Sequence, residues 1–169
     1  AGKVVSTLNR KLGHDFYETI LTAILSIDLS GKKKMDKANA VYQTIVAALH
    51  SPKGARVLDS LSNPYIYRVF ELSRATASEA HHLKGFLRFS ELQNGVLFST
   101  IHPKNNVLPI LAEHFTARFP QENFMIYDET HQLVAVHRAG KNYMLVDASD
   151  INTELLQNYS ENEARFQKL

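Results

Sequence analysis

The sequence predicts an α+β fold, with helices first and an antiparallel sheet after them in β-β-α-β-β-β order. Three observations predict it. Apolar residues recur at helical spacing through the first half of the chain. After His82 the apolar period falls from about 3.6 to 2. An Asn94-Gly95 pair between two period-2 runs is the strongest hairpin signal in the chain.

The elements follow in order. Tyr17, Ile20, Leu21, Ile24 and Leu25 form one stripe and predict a helix over 14–28, with Gly13 ending a weaker helix before it. Ser30 to Lys34 is a polar loop with three consecutive lysines. Ala38, Val41, Tyr42, Ile45, Val46 and Leu49 carry a second helix, stopped by Ser51, Pro52 and Gly54. Val57, Leu58 and Leu61 predict a short helical turn. Asn63 caps the next helix, with Pro64 at its first position, and Ile66, Val69, Phe70, Ser73 and Ala77 carry it toward His82.

Residues 86–92 and 96–101 read as strands. Pro103 ends the second, a helix covers Asn105 to Phe119, and Pro120 closes it. Three strands follow, over 124–129, 133–138 and 143–147, with Gly140 in the last turn. The expected organisation is one domain over 1–169: a helical part over 1–84, an α+β part over 85–150, and the start of a truncated C-terminal helix over 160–169. Ser160 and Glu163 have the capping-box spacing for that helix.

Composition bounds the class. Of 169 residues, 44% are hydrophobic and 21% charged, enough to bury a core without covalent staples. Cysteine is absent, which fits a reducing cytoplasm and leaves no thiolate for a metal. The apolar run from Ile20 to Ile27 is too short to span a bilayer, so no membrane partner is expected. The net charge of +2 permits an anionic partner without demanding one.

Polar residues that could carry chemistry concentrate between Glu79 and Arg118. A two-residue Asn94-Gly95 turn would set Leu92 against Leu97, Ser90 against Ser99 and Arg88 against Ile101. Arg88, Ser90 and Ser99 would then form a polar island able to hold a phosphate or carboxylate. The plainer expectation is that Arg88 pairs with Glu91 or Glu79, or is solvated. On the following helix His114 and Arg118 lie four apart at the edge of the stripe of Leu108, Leu111, Phe115 and Phe119. Both could equally flank the core in ordinary hydrogen bonds.

Eight histidines invite a metal, but no spacing among them matches a zinc site, and neither metal nor cofactor is expected. No GxGxxG, GxxxxGK[ST] or GxSxG occurs. Lys32, Lys33 and Lys34 could meet a phosphate backbone, though a lysine run in a loop is more often simply solvated.

The same stretch resembles a bacterial family of uncharacterised proteins of DNA metabolism. Genes of that family tend to sit beside one for a radical-SAM protein assigned to DNA repair. A related domain is fused to domains similar to uracil-DNA glycosylase. The resemblance rests on Glu79, His81, Phe86, Arg88 and Phe89, then Pro103 and Asn106, then His114, Phe115, Arg118, Phe119 and Pro120. The aromatic strand Phe124 to Asp128 completes it. It covers about residues 34 to 148, most strongly from Glu79 on. Two departures stand out: His82 replaces a usual Lys or Arg, and the family's basic C-terminal segment is missing.

The resemblance implies a setting in DNA metabolism and repair, with DNA and the radical-SAM protein as partners, and no assigned catalytic residues. Two functions stay open. One is a non-catalytic module that binds nucleic acid or docks a partner. Arg88, Ser90, Ser99, Asn106, Arg118 and the three lysines would meet anions, and Phe86 would stack on bases. The other is a hydrolase or nucleotide-processing enzyme. Glu79 or Asp128 would act as base, His81, His102 or His114 as acid or base, and Arg88 would steady an anion. A third, plainer reading is a protein-interaction domain without nucleic acid. Convergence of these side chains in one pocket favours the enzyme, and their dispersal favours the module.

Overall fold

Capping chemistry sets where the helices begin. The Asn63 side chain accepts the backbone N–H of Tyr65 at 2.9 Å, so the helix over Pro64–Phe86 starts as its Asn-Pro pair predicts. Asp36 does the same one helix earlier, accepting the Asn39 N–H at 2.9 Å. These features come from a computed structural model that describes residues 2–28 and 35–151. The three lysines and the expected helix over 160–169 lie outside the described residues.

The fold is α+β. Among the described residues four α-helices come first: α1 (Gly2–Leu12), α2 (His14–Leu25), α3 (Lys37–His50) and α4 (Pro64–Phe86), with a 3-10 helix over Gly54–Asp59. Then come β1 (Ser90–Glu91), β2 (Leu97–Ile101), α5 (Leu108–Arg118), β3 (Phe124–Asp128), β4 (Leu133–His137) and β5 (Met144–Asp147). No helix among the described residues is long and apolar enough to cross a membrane.

The chain divides into two compact units, and the division falls inside α4. One unit holds the residues up to His81 together with Asn105–Val107. The other holds His82–Lys104 and the chain from Leu108 onward.

In the helical unit, Phe16 and Ile20 of α2 are buried with Ala40 of α3 and with Ile66 and Val69 of α4. Each larger side chain so buried contributes about 1.5–3 kcal/mol. The unit also buries polar groups, of which Thr44 Oγ1 has no partner among the described residues while the charged ones are matched. Arg68 is 6% exposed; its guanidinium meets Asp28 at 2.6 Å and Glu71 at 3.4 Å, and its Nε donates to the Met35 carbonyl. Lys37 Nζ donates to the carbonyls of Ile24 and Ser26, which the end of α2 leaves open.

In the α+β unit, strands lie in the order β1-β2-β3-β4-β5. The antiparallel expectation holds for three of the four pairings. The pair β2 and β3 is parallel, because α5 is a crossover helix that returns the chain to the starting end of β2. Phe89 lies against Phe115, Phe119 and Phe124, with ring centroids 5.2–6.1 Å apart.

The hairpin forms, with a different register from the expected one. Ser90 pairs with Phe98 and Glu91 with Leu97. The Gly95 N–H donates to the Leu92 carbonyl at 2.9 Å, and Gly95 has φ +77°. Asn94 has no positive φ, so the turn is not type I′. Gln93 to Gly95 instead form a three-residue loop whose last residue is left-handed. A slip of one residue reverses the facing of side chains. Ser99 is therefore buried while Ser90 is exposed, and the expected island of Arg88, Ser90 and Ser99 does not form. Strand pairing also begins later than expected. The first strand was placed from residue 86, but α4 runs on to Phe86, with Leu87 N–H still bonded to the Leu83 carbonyl.

Candidate anion-binding site

The residues singled out by sequence fall into three groups. The first is structural. Glu79 Oε2 accepts the Asn105 backbone N–H at 2.8 Å and the Asn105 side-chain N–H at 2.7 Å. Asn105 Oδ1 in turn accepts the Ile27 N–H, and the Asn106 N–H reaches the Leu25 carbonyl. Glu79 thus holds the 105–107 segment in the helical unit. Asn106 Oδ1 is buried without a partner among the described residues. His81 is exposed on α4 in the same unit.

The second group lies at the carboxyl ends of β2 and β3, in the other unit. His102, just past β2, pairs with Glu129, just past β3. Asp128 is fully buried and accepts both the backbone N–H of His131 at 3.0 Å and its Nδ1 at 2.7 Å. The first contact braces the β3–β4 turn, in which Gln132 takes a left-handed φ of +55°. The second fixes which ring nitrogen of His131 carries its proton. Among the described residues, no group of three or more His, Cys, Asp and Glu is arranged to hold a metal ion.

The third group lies at the opposite end of the α+β unit, because α5 runs back along the sheet from the carboxyl end of β2. His114 and Arg118 occupy the last turns of α5. His114 is half-buried, and the charges of Lys84 and Arg118 both reach it. Burial first, then those two cations, hold its pKa below the usual 6.5. Arg118 is exposed, its guanidinium 5.6 Å from the Phe119 ring centre. Lys84 stands in the last turn of α4, and no carboxylate pairs with Lys84, His114 or Arg118 among the described residues.

Arg88 follows directly after α4. The plainer expectation for it was a pairing with Glu91 or Glu79, or solvation. It is exposed, and its Nη1 donates to the Gly85 and Leu87 carbonyls at 3.3 Å. The reason is local: the last carbonyls of a helix have no intrahelical donor, and a guanidinium three residues on can reach them. Phe86 is 66% exposed, its ring 4.4 Å from that of His82.

Within the α+β unit, His102 and Asp128 lie at the opposite end from His114. Glu79 and His81 belong to the helical unit, His102 and Asp128 to the carboxyl ends of the strands, and His114 to the far end of α5. Sequence reasoning missed Lys84, Glu129 and His131 as neighbours of its candidates. Lys84 could have been found as a cation in the last turn of a helix, and His131 from its place three residues after Asp128 in a tight turn.

No curated protein and no solved structure matches the chain. A family model described as a domain of unknown function, DUF4130, matches residues 35–169. Since that span is most of the chain, the protein belongs to the DUF4130 family.

Proposed function

We propose that this protein is a non-catalytic module of DNA metabolism that binds nucleic acid through the basic end of its α+β unit. The observation that carries the reading is that Lys84 of α4 and Arg118 of α5 both bring positive charge to His114, with no paired carboxylate among the described residues. Like charges brought together repel, and an arriving phosphate relieves that repulsion. Arg88 adds an exposed guanidinium next to the end of α4. Phe86, 66% exposed at the end of α4, offers an aromatic ring for stacking. A pI near 8.8 agrees with an anionic partner. The family resemblance supplies the setting: cytoplasmic DNA repair, alongside a radical-SAM protein.

The enzymic reading has one observation in its favour. A buried carboxylate that holds an imidazole through Nδ1, as Asp128 holds His131, is how a general base is oriented. The same carboxylate also braces its own turn, which accounts for it without catalysis.

Fluorescence anisotropy with labelled oligonucleotides at low and moderate salt tests the proposal. The wild type should bind, and its affinity should fall steeply with salt. Lys84→Glu with Arg118→Glu should weaken binding by about tenfold or more and flatten the salt slope by about two phosphate contacts. Replacing Lys32, Lys33 and Lys34 by Ala should flatten it less. Failure of the wild type to bind at low salt would overturn direct contact and leave docking, tested by pull-down with the radical-SAM protein.

A further inference from the structure

The helical unit exposes a surface of a different kind. Tyr67, Phe70 and Arg74 lie at i, i+3 and i+7 on α4, so they share one face. Tyr67 is 48% exposed and Phe70 39%. Their ring centres are 6.4 Å apart and the planes differ by 36°. Beside them is an open groove of about 290 Å³, lined by Thr19, Leu58, Ile66, Phe70, Ser73 and Arg74.

Arg74 is the only charged residue in that lining, and no carboxylate pairs with it among the described residues. Glu71, the nearest acid along the helix, is engaged by the buried Arg68. The face therefore combines bare aromatic rings, an apolar recess and one unneutralised guanidinium.

We infer that this face of α4 is a stacking platform for single-stranded nucleic acid. A base stacks on Tyr67 and Phe70, the neighbouring nucleotide enters the groove, and Arg74 meets the phosphate between them. The inference rests on the nucleic-acid reading above and adds the strand type. Stacking needs an open base face, which a single strand offers and a duplex withholds. Every base has such a face, so the platform is tolerant of sequence. An apolar peptide with an acidic residue is the other occupant of matching chemistry. The nucleic-acid reading above favours the strand, and the peptide is an outcome of the test.

The test uses the full chain, a labelled oligothymidylate of about twelve nucleotides and a duplex of the same length. Tyr67→Ala with Phe70→Ala should weaken single-strand binding about tenfold or more and leave duplex binding unchanged. Phe70→Leu keeps the apolar volume and removes the ring, so it should give a smaller loss in the same direction, with melting unchanged. Arg74→Ala should weaken single-strand binding and reduce its salt slope by about one contact, with duplex binding unchanged. Wild-type single-strand affinity in the aromatic variants, with binding lost in Lys84→Glu/Arg118→Glu, would overturn the platform and leave the basic site standing. Equal losses for strand and duplex would overturn the strand preference. No binding of either ligand by the wild type would remove both proposals together. Competition by an acidic amphipathic peptide, but not by oligothymidylate, would assign the groove to a protein.

Discussion

The two units differ in how their named charged side chains are held. In the helical unit Arg68 is matched with Asp28 and Glu71, Glu79 with Asn105, and Lys37 with the open carbonyls of α2, while Arg74 has no paired carboxylate among the described residues. In the α+β unit Lys84, Arg88 and Arg118 are matched by no carboxylate among the described residues, and two of the three are exposed. A matched buried charge is a structural element, costly to disturb and silent in binding. An unmatched surface cation contributes little to stability and is available to a ligand. The difference separates residues that hold the fold from residues that can act.

The sharpest way to break this comparison is Arg68→Met. The substitution keeps much of the volume but removes the guanidinium that pairs with Asp28 and Glu71 and the donor to the Met35 carbonyl. Removal of one partner from a buried pair costs about 3–5 kcal/mol. Denaturant titration should show that loss as a lower midpoint with little change in slope. Oligonucleotide affinity of the folded fraction should be unaffected. A stable variant that no longer bound would make Arg68 part of the ligand surface and erase the distinction.

A smaller loss is expected from Glu79→Gln. The variant keeps one acceptor for Asn105 but loses the charge that strengthens both bonds. A charge-assisted hydrogen bond is worth more than a neutral one, so the cost is about 1–2 kcal/mol. Binding should again be unchanged. A general base replaced by Gln would behave otherwise: any hydrolytic activity would vanish while stability held.

How far the sequence could be read follows the same line. Helix positions, the change of period and the β-β-α-β-β-β order were legible, because local pattern and capping chemistry set them. The hairpin register was not. Asn-Gly suits a two-residue turn, but Gly95 alone takes the left-handed conformation while Asn94 Oδ1 accepts the Val96 N–H. The choice between the two turns is small in local energy and reverses the facing of the paired side chains. The parallel pairing of β2 with β3 was likewise hidden. It depends on where α5 returns the chain, and the α5 stripe does not encode that. At the candidate site, His114 and Arg118 could be paired from their spacing, but Lys84 joins them from another helix. Glu79 read as a candidate base because its partner, Asn105, is remote in sequence.

The last prediction concerns pH and is the smallest effect. His114 titrates below 6.5 in the folded chain, through burial and the neighbouring cations Lys84 and Arg118. In the unfolded chain it titrates near its ordinary value. As pH falls through that ordinary value the unfolded state takes up the proton first, so stability should decline there. Where the folded His114 also becomes protonated, this contribution levels off. A bound phosphate acts in the other direction, because an adjacent anion favours the charged ring. Binding should therefore take up a proton, and affinity should rise as pH is lowered from neutral toward the folded pKa. Calorimetry in two buffers of different ionisation heat would register the uptake directly. His114→Gln should abolish the uptake and flatten the pH profile while retaining most of the affinity at neutral pH. If the uptake persists in His114→Gln, the proton belongs to another histidine, and His82 beside Phe86 is the next to replace.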